Sequence, residues 1–549
     1  MNAPSRGPRV ATGAPTALPW WRRGAIYQVY PRSFADSDGD GVGDLEGLRS
    51  RLDYVASLGV EAIWLSPVFP SPMADFGYDV SDYCDIDPTF GSLADFDALV
   101  ADAHARGLRV VLDWVANHTS DEHPWFRESR SSRDSPRRDW YVWADPAPDG
   151  GPPNDWTSAF SAVGPAWTLD EHTGQYYLHS FAPQQPDLNW DNPQVEAAMH
   201  ETVRFWLDRG VDGLRLDAII KIAKDPLLRD TAGAPSPYHE DWETIHDRLA
   251  RLRQVLDGYP DTMMVGELWA GDLPRFVTFL TGTGMHLAHN FEFVELPWDA
   301  DAYRSFIDRF EAETQSVPDL WPCWFLENHD LPRVASRFDE AGLGPARARA
   351  VLLMLYALRG TPFLYQGQEL GLPDAVVPPD RVVDVDGRDP ERAPIPWEHP
   401  SQAGPGAGFT TGEPWLPLVG DAEGLCVRAQ ETDALSALHL TRRIAALRRG
   451  IPALQDGSQR TLPAAAGVLA WLRETDGDRY LVVVSFATEA MLAGLPAGLP
   501  AGLPADLPDV GRLLLATSPS RAGGGAGSEV TLGLRDLRLA PGEGPLFQL

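Results

Sequence analysis

A chain of 549 residues with 44% apolar content has the length of two or three domains and the composition of a globular protein. Its 46 basic and 78 acidic residues give a formal charge of −32, which argues against nucleic acid and anionic membranes as partners, since both select basic patches. Three cysteines (Cys84, Cys323, Cys426) form neither a disulfide framework nor a metal spacing, and no run of about 18 apolar residues is available to span a bilayer.

Residues 1–19 are rich in Pro, Ala and Gly and lack the apolar core of a signal peptide. They are expected to be a disordered tail, on a cytoplasmic protein. From residue 25 onward, short β-rich runs alternate with helical patterns. Eight strands are predicted, at 25–30, 62–65, 110–114, 213–217, 263–267, 287–291, 323–327 and 362–365. Amphipathic segments such as 45–58 and 93–106 lie between them; in the second, Phe96, Leu99, Val100 and Ala103 recur at helical spacing. This alternation calls for parallel strands joined by helical crossovers. Eight such units point to an α/β fold, a closed (β/α)8 TIM barrel made from residues 20–116 and 189–450. An open doubly wound sheet would carry a Gly-rich phosphate turn after its first strand, and none is present.

Two intervals exceed a simple crossover. Residues 117–188 are expected as an inserted domain after strand three, and 371–432 as a long loop or subdomain after strand eight. A helix at 435–447 closes the barrel. Short strands at 468–472, 480–486, 512–516 and 529–532 then predict a C-terminal antiparallel β domain over 451–549. A degenerate A-G-L-P repeat at 493–508 and a Gly-rich run at 521–528 read as loops.

The stretch G-V-D-G-L-R-L-D-A-I at 210–219 carries two charges, Arg215 and Asp217, inside an apolar strand. Residues two apart on a strand face the same way, so a guanidinium and a carboxylate lie side by side. An isolated pair of this kind is usually structural. Here it has company, because in a parallel barrel functional groups collect at the carboxyl ends of the strands. The third predicted strand ends in Asp113, Asn117 and His118, the fifth in Glu267, and the seventh in Glu327, Asn328, His329 and Asp330. One acid at a strand end caps the next helix; three from separate strands, beside two histidines and an arginine, do not reduce to caps.

Convergent carboxylates with little metal-ligating histidine suit glycosidic chemistry, in which one acid protonates the leaving oxygen and one carboxylate attacks or steers water. Arg215 would hold Asp217 ionised, as a nucleophile requires. Glu267, flanked by Leu268 and Trp269, has the partly buried setting of a proton donor. Asp330 would stabilise the oxocarbenium-like transition state. Tyr78, Trp114, Phe160, Phe181 and Trp269 are available as ring faces for a sugar.

The run D-S-D-G-D-G-V-G-D at 36–44 resembles the start of an EF-hand calcium loop, but Gly47 stands where the twelfth-position glutamate belongs, and a strand precedes it where an EF-hand has a helix. An empty acidic turn is the alternative.

Seven stretches, in order, resemble the α-amylase superfamily of retaining glycoside hydrolases, in its α-glucosidase and oligo-glucosidase branch. They are G-D-G-V-G-D at 39–44, D-F-G-Y-D at 75–79, D-W-V-A-N-H at 113–118, Q-P-D-L-N-W at 185–190, G-L-R-L-D-A at 213–218, G-E-L-W at 266–269 and E-N-H-D at 327–330. The resemblance covers residue 20 to the end and implies a (β/α)8 barrel, an inserted domain after strand three and a C-terminal β domain. It implies Asp217 as nucleophile, Glu267 as general acid/base and Asp330 as transition-state stabiliser. His118, Arg215 and His329 match ligands of the glucose at the cleavage point. Asp75 and Tyr78 match the pair that holds the non-reducing end in exo-acting members, and Phe160, Phe181 and Gln185 match further pocket positions. Arg392 matches an arginine that contacts the bound sugar, with Arg388 a rival for that role.

The resemblance further implies no organic cofactor and one structural Ca2+ or Mg2+ held by Asp36, Asp38, Asp40 and Asp44 and by the carbonyl of Val42. The partner is a small oligosaccharide, and the enzyme a monomer or homodimer. In similar enzymes a small residue after the nucleophile, here Ala218, goes with α-1,4 bonds and valine with α-1,6 bonds. The expected activity is therefore release of terminal α-1,4-linked glucose from maltose and short malto-oligosaccharides by double displacement, with transglucosylation where a sugar replaces water. The alternatives are an oligo-1,6-glucosidase, a trehalose- or sucrose-type glucosyl isomerase or transferase, and a catalytically dead sugar-binding relative.

Overall fold

The computed structural model describes residues 18–232, 238–314, 317, 319–495, 507–522 and 530–549. Nearly all of the expected tail, most of the A-G-L-P repeat and most of the Gly-rich run lie outside the described residues.

Eight parallel strands form the central sheet: β1 (Ile26–Val29), β2 (Ala62–Leu65), β3 (Arg109–Val115), β7 (Gly213–Asp217), β8 (Met263–Leu268), β9 (Leu287–Asn290), β10 (Cys323–Trp324) and β11 (Thr361–Tyr365). The numbers skip because β4 (Trp143–Ala144), β5 (Trp167–Asp170) and β6 (Gln175–Leu178) form a separate three-stranded sheet between β3 and β7. The strand order β10-β11-β1-β2-β3-β7-β8-β9 is that of a (β/α)8 barrel with one open seam. At the seam the Cys323 thiol donates to the Ala288 carbonyl at 2.9 Å, bringing β10 against β9. The seventh barrel strand was expected to reach 327 but leaves the ladder after Trp324. Its partner there is Pro362, which has no N–H with which to extend the pairing.

Side-chain parity divides the core. Ile26, Ala62, Trp64, Val111, Met263, Val265 and Phe363 fill the barrel interior, whereas Leu112, Trp114, Leu214 and Leu216 pack outward against the helices. Helix Leu93–Ala105 starts at a capping box between Ser92 and Asp95 and buries Phe96, Leu99, Val100 and Ala103. The helical pattern at 45–58 divides into Leu45–Ser50 and Leu52–Ser57, separated by Arg51. Helix Ala437–Gly450 completes the outer ring.

The C-terminal part is antiparallel. Strands β12 (Ser458–Leu462), β13 (Val468–Thr475), β14 (Asp478–Ser485), β16 (Val510–Ala516), β17 (Thr531–Gly533) and β19 (Pro545–Gln548) pair in the order β12-β13-β14-β19-β16-β17, beside a ribbon of β15 (Met491–Leu492) and β18 (Arg538–Leu539). Asp476-Gly477 turns the β13–β14 hairpin, with Gly477 at φ +101°. Among the described residues no helix is long and apolar enough to cross a membrane.

Candidate active site

Arg215 is the hub. It is fully buried at the centre of β7, and its two terminal nitrogens are divided among three carboxylates from three strands. Nη1 donates to Asp113 Oδ1 at 3.0 Å and to Asp217 Oδ1 at 2.5 Å, and Nη2 donates to Glu267 Oε2 at 2.6 Å. The chain turns sharply after Asp217: Ala218 sits in the left-handed region at φ +42°. This aims the Ala218 N–H at the same Glu267 oxygen, at 3.1 Å. Glu267 Oε1 accepts from the indole of Trp269 at 3.2 Å. That indole is half exposed and stacks on buried Phe291 at 3.8 Å, which leaves its other face free.

A second group joins the hub through Asp113. Tyr78 Oη lies 3.1 Å from Asp113 Oδ2 and 2.6 Å from His329 Nε2, and its ring stacks on the imidazole with planes 8° apart. His329 Nε2 is 3.1 Å from Asp330 Oδ2. Asp330 Oδ1 accepts from Arg388 at 3.0 Å and from Arg392 at 2.9 Å. Arg388 then reaches Asp75 at 2.6 Å, and Asp75 accepts from Gln185 at 3.0 Å. Gln185 meets His118, and His118 packs on Phe181, which meets Phe160 edge-on. The Arg388 guanidinium lies over Phe160 at 5.2 Å. Asp217, Glu267, Asp330 and all nine residues expected around the sugar thus form one connected network at the carboxyl ends of the barrel strands.

The electrostatics differ from the expectation that Arg215 alone sets the state of Asp217. Burial pushes the Asp217 carboxyl well above its usual range, and the neighbouring Glu267 and Asp113 charges add to this; Arg215 opposes them without prevailing. Asp113 is likewise raised by burial, to about 6. Asp330 goes the other way. Burial acts upward there too, but His329, Arg388 and Arg392 together hold its carboxyl well below the usual range. Burial also lowers His118 to about 4 and His329 to about 3.

Three expectations are revised. Trp114 offers no ring face, since it points out of the barrel, donates to Thr202 Oγ1 at 3.0 Å and meets Trp190 edge-on. Arg388, rather than Arg392, spans Asp75 and Asp330; Arg392 is more deeply buried and anchors the backbone through the His329 carbonyl at 2.7 Å. Asp44 stands apart from the acidic cluster. Its carboxylate accepts from Ser37 N and from Gly47 N, both at 2.7 Å, and caps helix Leu45–Ser50. Asp36, Asp38 and Asp40 do converge, with one oxygen each inside a span of 4.8 Å. Val42 donates its N–H to Asp40 at 2.8 Å.

Asp384 is a residue that sequence reasoning missed. It lies in the loop after β11 and bonds both Arg388, at 2.7 Å, and Arg392, at 3.2 Å. Its Oδ2 accepts from Asp386 N and Arg388 N, so the available signal was the turn-forming D-V-D-G-R-D-P at 384–390.

Comparison with known proteins agrees with this geometry. The alpha amylase catalytic domain model matches residues 28–457. A "Probable alpha-glucosidase" of Rhizobium meliloti (strain 1021) is 42% identical over 512 residues, 87% of this chain and 91% of that protein. An oligo-1,6-glucosidase of Parageobacillus thermoglucosidasius is 36% identical over 530 residues, 87% and 92% of the two chains. Among solved structures, the alpha-glucosyl transfer enzyme XgtA superposes with a TM-score of 0.85 at 41% identity, covering 97% of this chain and all of that one. The chain belongs to the α-amylase family of glycoside hydrolases.

Proposed function

We propose that this enzyme is an exo-acting retaining α-glucosidase that removes terminal α-1,4-linked glucose from maltose and short malto-oligosaccharides. The observation that carries the exo reading is the Asp330–Arg388–Asp75 bridge. It ties the loops after β10, β11 and β2 together, and in this reading it closes the pocket beyond the Asp217–Glu267 pair so that a terminal ring enters and a through-running chain does not.

In this reading Asp217 attacks the anomeric carbon while Glu267 protonates the departing oxygen. Water activated by Glu267 then releases α-glucose from the glucosyl-enzyme. Retention needs the two carboxyls about 5–5.5 Å apart, and their attachment to adjacent nitrogens of one guanidinium supports this. Asp330, kept ionised by its arginines, faces the developing positive charge. Trp269 presents its free face to the leaving sugar. The α-1,4 preference is supported by Ala218, the small residue after the nucleophile that goes with α-1,4 bonds in similar enzymes; a methyl-sized difference there is worth about 1–3 kcal/mol.

Asp36, Asp38 and Asp40 are the residues that would hold a structural Ca2+ or Mg2+. Carboxylate oxygens are the hard donors these ions take. When bound, the ion would brace a loop that already docks on the barrel's last excursion through Asp36 N to Phe409 O and Trp415 N to Gly41 O.

Glucosyl transfer to a second sugar is the other reading, favoured by full-length similarity to a glucosyl transfer enzyme. A panel of maltose, isomaltose, sucrose and trehalose, with chromatography of the products, separates the two. Glucose released from maltose faster than from isomaltose is expected. A new disaccharide as the main product, or isomaltose as the better substrate, would overturn the proposal.

A further inference from the structure

His289 lies on β9 in register with Glu267 of β8, so its side chain enters the barrel at the level of the proposed acid. The ring is 1% exposed and boxed by aromatic groups: Trp64 at 5.4 Å, Phe325 at 4.8 Å and Phe363 at 4.7 Å between centroids. Neither of its nitrogens meets a hydrogen-bond partner among the described residues. A neutral imidazole still carries one N–H donor and one bare acceptor, and leaving both unmet in an apolar box is costly.

The same holds just beside it. The Arg215 guanidinium rests on Trp64, 5.2 Å from the ring centroid, and its Nε–H is buried and unpartnered among the described residues although both terminal nitrogens are fully used. Burial first, and then the Arg215 charge, keep the His289 ring neutral, so the guanidinium is within electrostatic reach. Two orphaned polar groups in one core are the usual mark of a shared buried water.

We propose that a buried water joins Arg215 Nε–H to the bare nitrogen of His289, and that His289 is thereby a positioning residue for the catalytic pair. The guanidinium plane fixes where Nη1 and Nη2 point, and these hold Asp217 and Glu267. A hydrogen bond on Nε fixes that plane. This inference rests on the reading of Asp217 and Glu267 as nucleophile and acid.

The test uses the full-length enzyme with His289→Phe and His289→Gln. Phenylalanine keeps the packing and removes the acceptor; glutamine keeps an acceptor. With maltose, the Phe variant is expected to lose about tenfold in kcat with KM within about twofold, and the Gln variant to regain most of it. A high-resolution crystal structure of the wild type should show an ordered water within hydrogen-bond reach of both groups. Equal loss in both variants, unchanged kcat in the Phe variant, or a dry site would overturn the proposal. If the Phe variant fails to fold, the Gln variant and the water density decide it. A wild-type enzyme inactive on every α-glucoside would refute the functional reading instead, and the density would still test the link between His289 and Arg215.

Discussion

The sharing of Arg215 among three carboxylates has a consequence that can be sized. Asp113 and Asp217 accept from the same nitrogen at 3.0 and 2.5 Å. Two oxygens so placed are about 4.6 Å apart, and at an effective dielectric of about 20 their charges repel by about 3.6 kcal/mol. Asp113 therefore helps to raise Asp217, and Asp113→Asn should relieve it. The sign follows directly: a nucleophile with a raised pKa is protonated at acid pH, so activity climbs as pH rises through that value, and lowering it moves the climb to lower pH. Relaxation and partial protonation of the cluster reduce the full Coulomb figure, leaving an expected displacement of the acid limb of kcat/KM by about one to two pH units. The assay is glucose release from maltose in quenched time points between pH 4 and 8. Only the position of the limb is compared, because loss of the Tyr78 and Trp64 contacts to Asp113 will lower the plateau on its own. An acid limb that stays in place, or moves to higher pH, would refute the view that neighbouring carboxylates set the state of Asp217.

Three further perturbations follow from the same structure. Arg388→Ala removes the bridge between Asp75 and Asp330; kcat/KM on maltose should fall about 30- to 800-fold, a loss of about 2–4 kcal/mol of transition-state stabilisation, while the relative rate on maltotetraose rises, and an unchanged ratio would contradict the pocket-closing role. If Asp36, Asp38 and Asp40 hold an ion, adding 1,000 times Kd of Ca2+ to chelator-treated enzyme stabilises it by about 4 kcal/mol, read as a rise in Tm that Asp38→Asn abolishes. Glu327 is raised by burial from 4.5 to about 7, so the folded form binds its proton more tightly than the unfolded form. Its contribution to stability is full below about pH 4.5 and is lost as pH rises through 7, by about 3 kcal/mol in all. Glu327→Gln should flatten that decline in urea melts, and a parallel decline in the variant would count against it.

Much of this design was readable without coordinates, for identifiable reasons. The barrel strands are short apolar runs between turns, and Arg215 and Asp217 had to share a face because a strand repeats every two residues. The same rule would have excluded Trp114. It follows Asp113 directly, so if Asp113 enters the barrel Trp114 leaves it. Other misses were beyond any local rule. Arg388 and Arg392 sit four apart in a loop with no period, and which of them spans Asp75 and Asp330 depends on where Asp384 is folded back. Asp44 lies on the acidic run yet spends its oxygens on a helix start, a competition between capping and metal binding that residue types alone do not decide. Strands β15 and β18, of two residues each, are too short to show alternation at all.

His289 marks the far end of this scale. It belongs to no motif, and in the sequence it is one of two polar letters in L-A-H-N-F. Only its burial in an aromatic box, with Arg215 Nε unmet beside it, gives it meaning. Motif residues are legible because chemistry restricts them to a few types. Residues that hold those groups in place are restricted only by the shape of the space left over, and that space exists only once eight distant strands have come together.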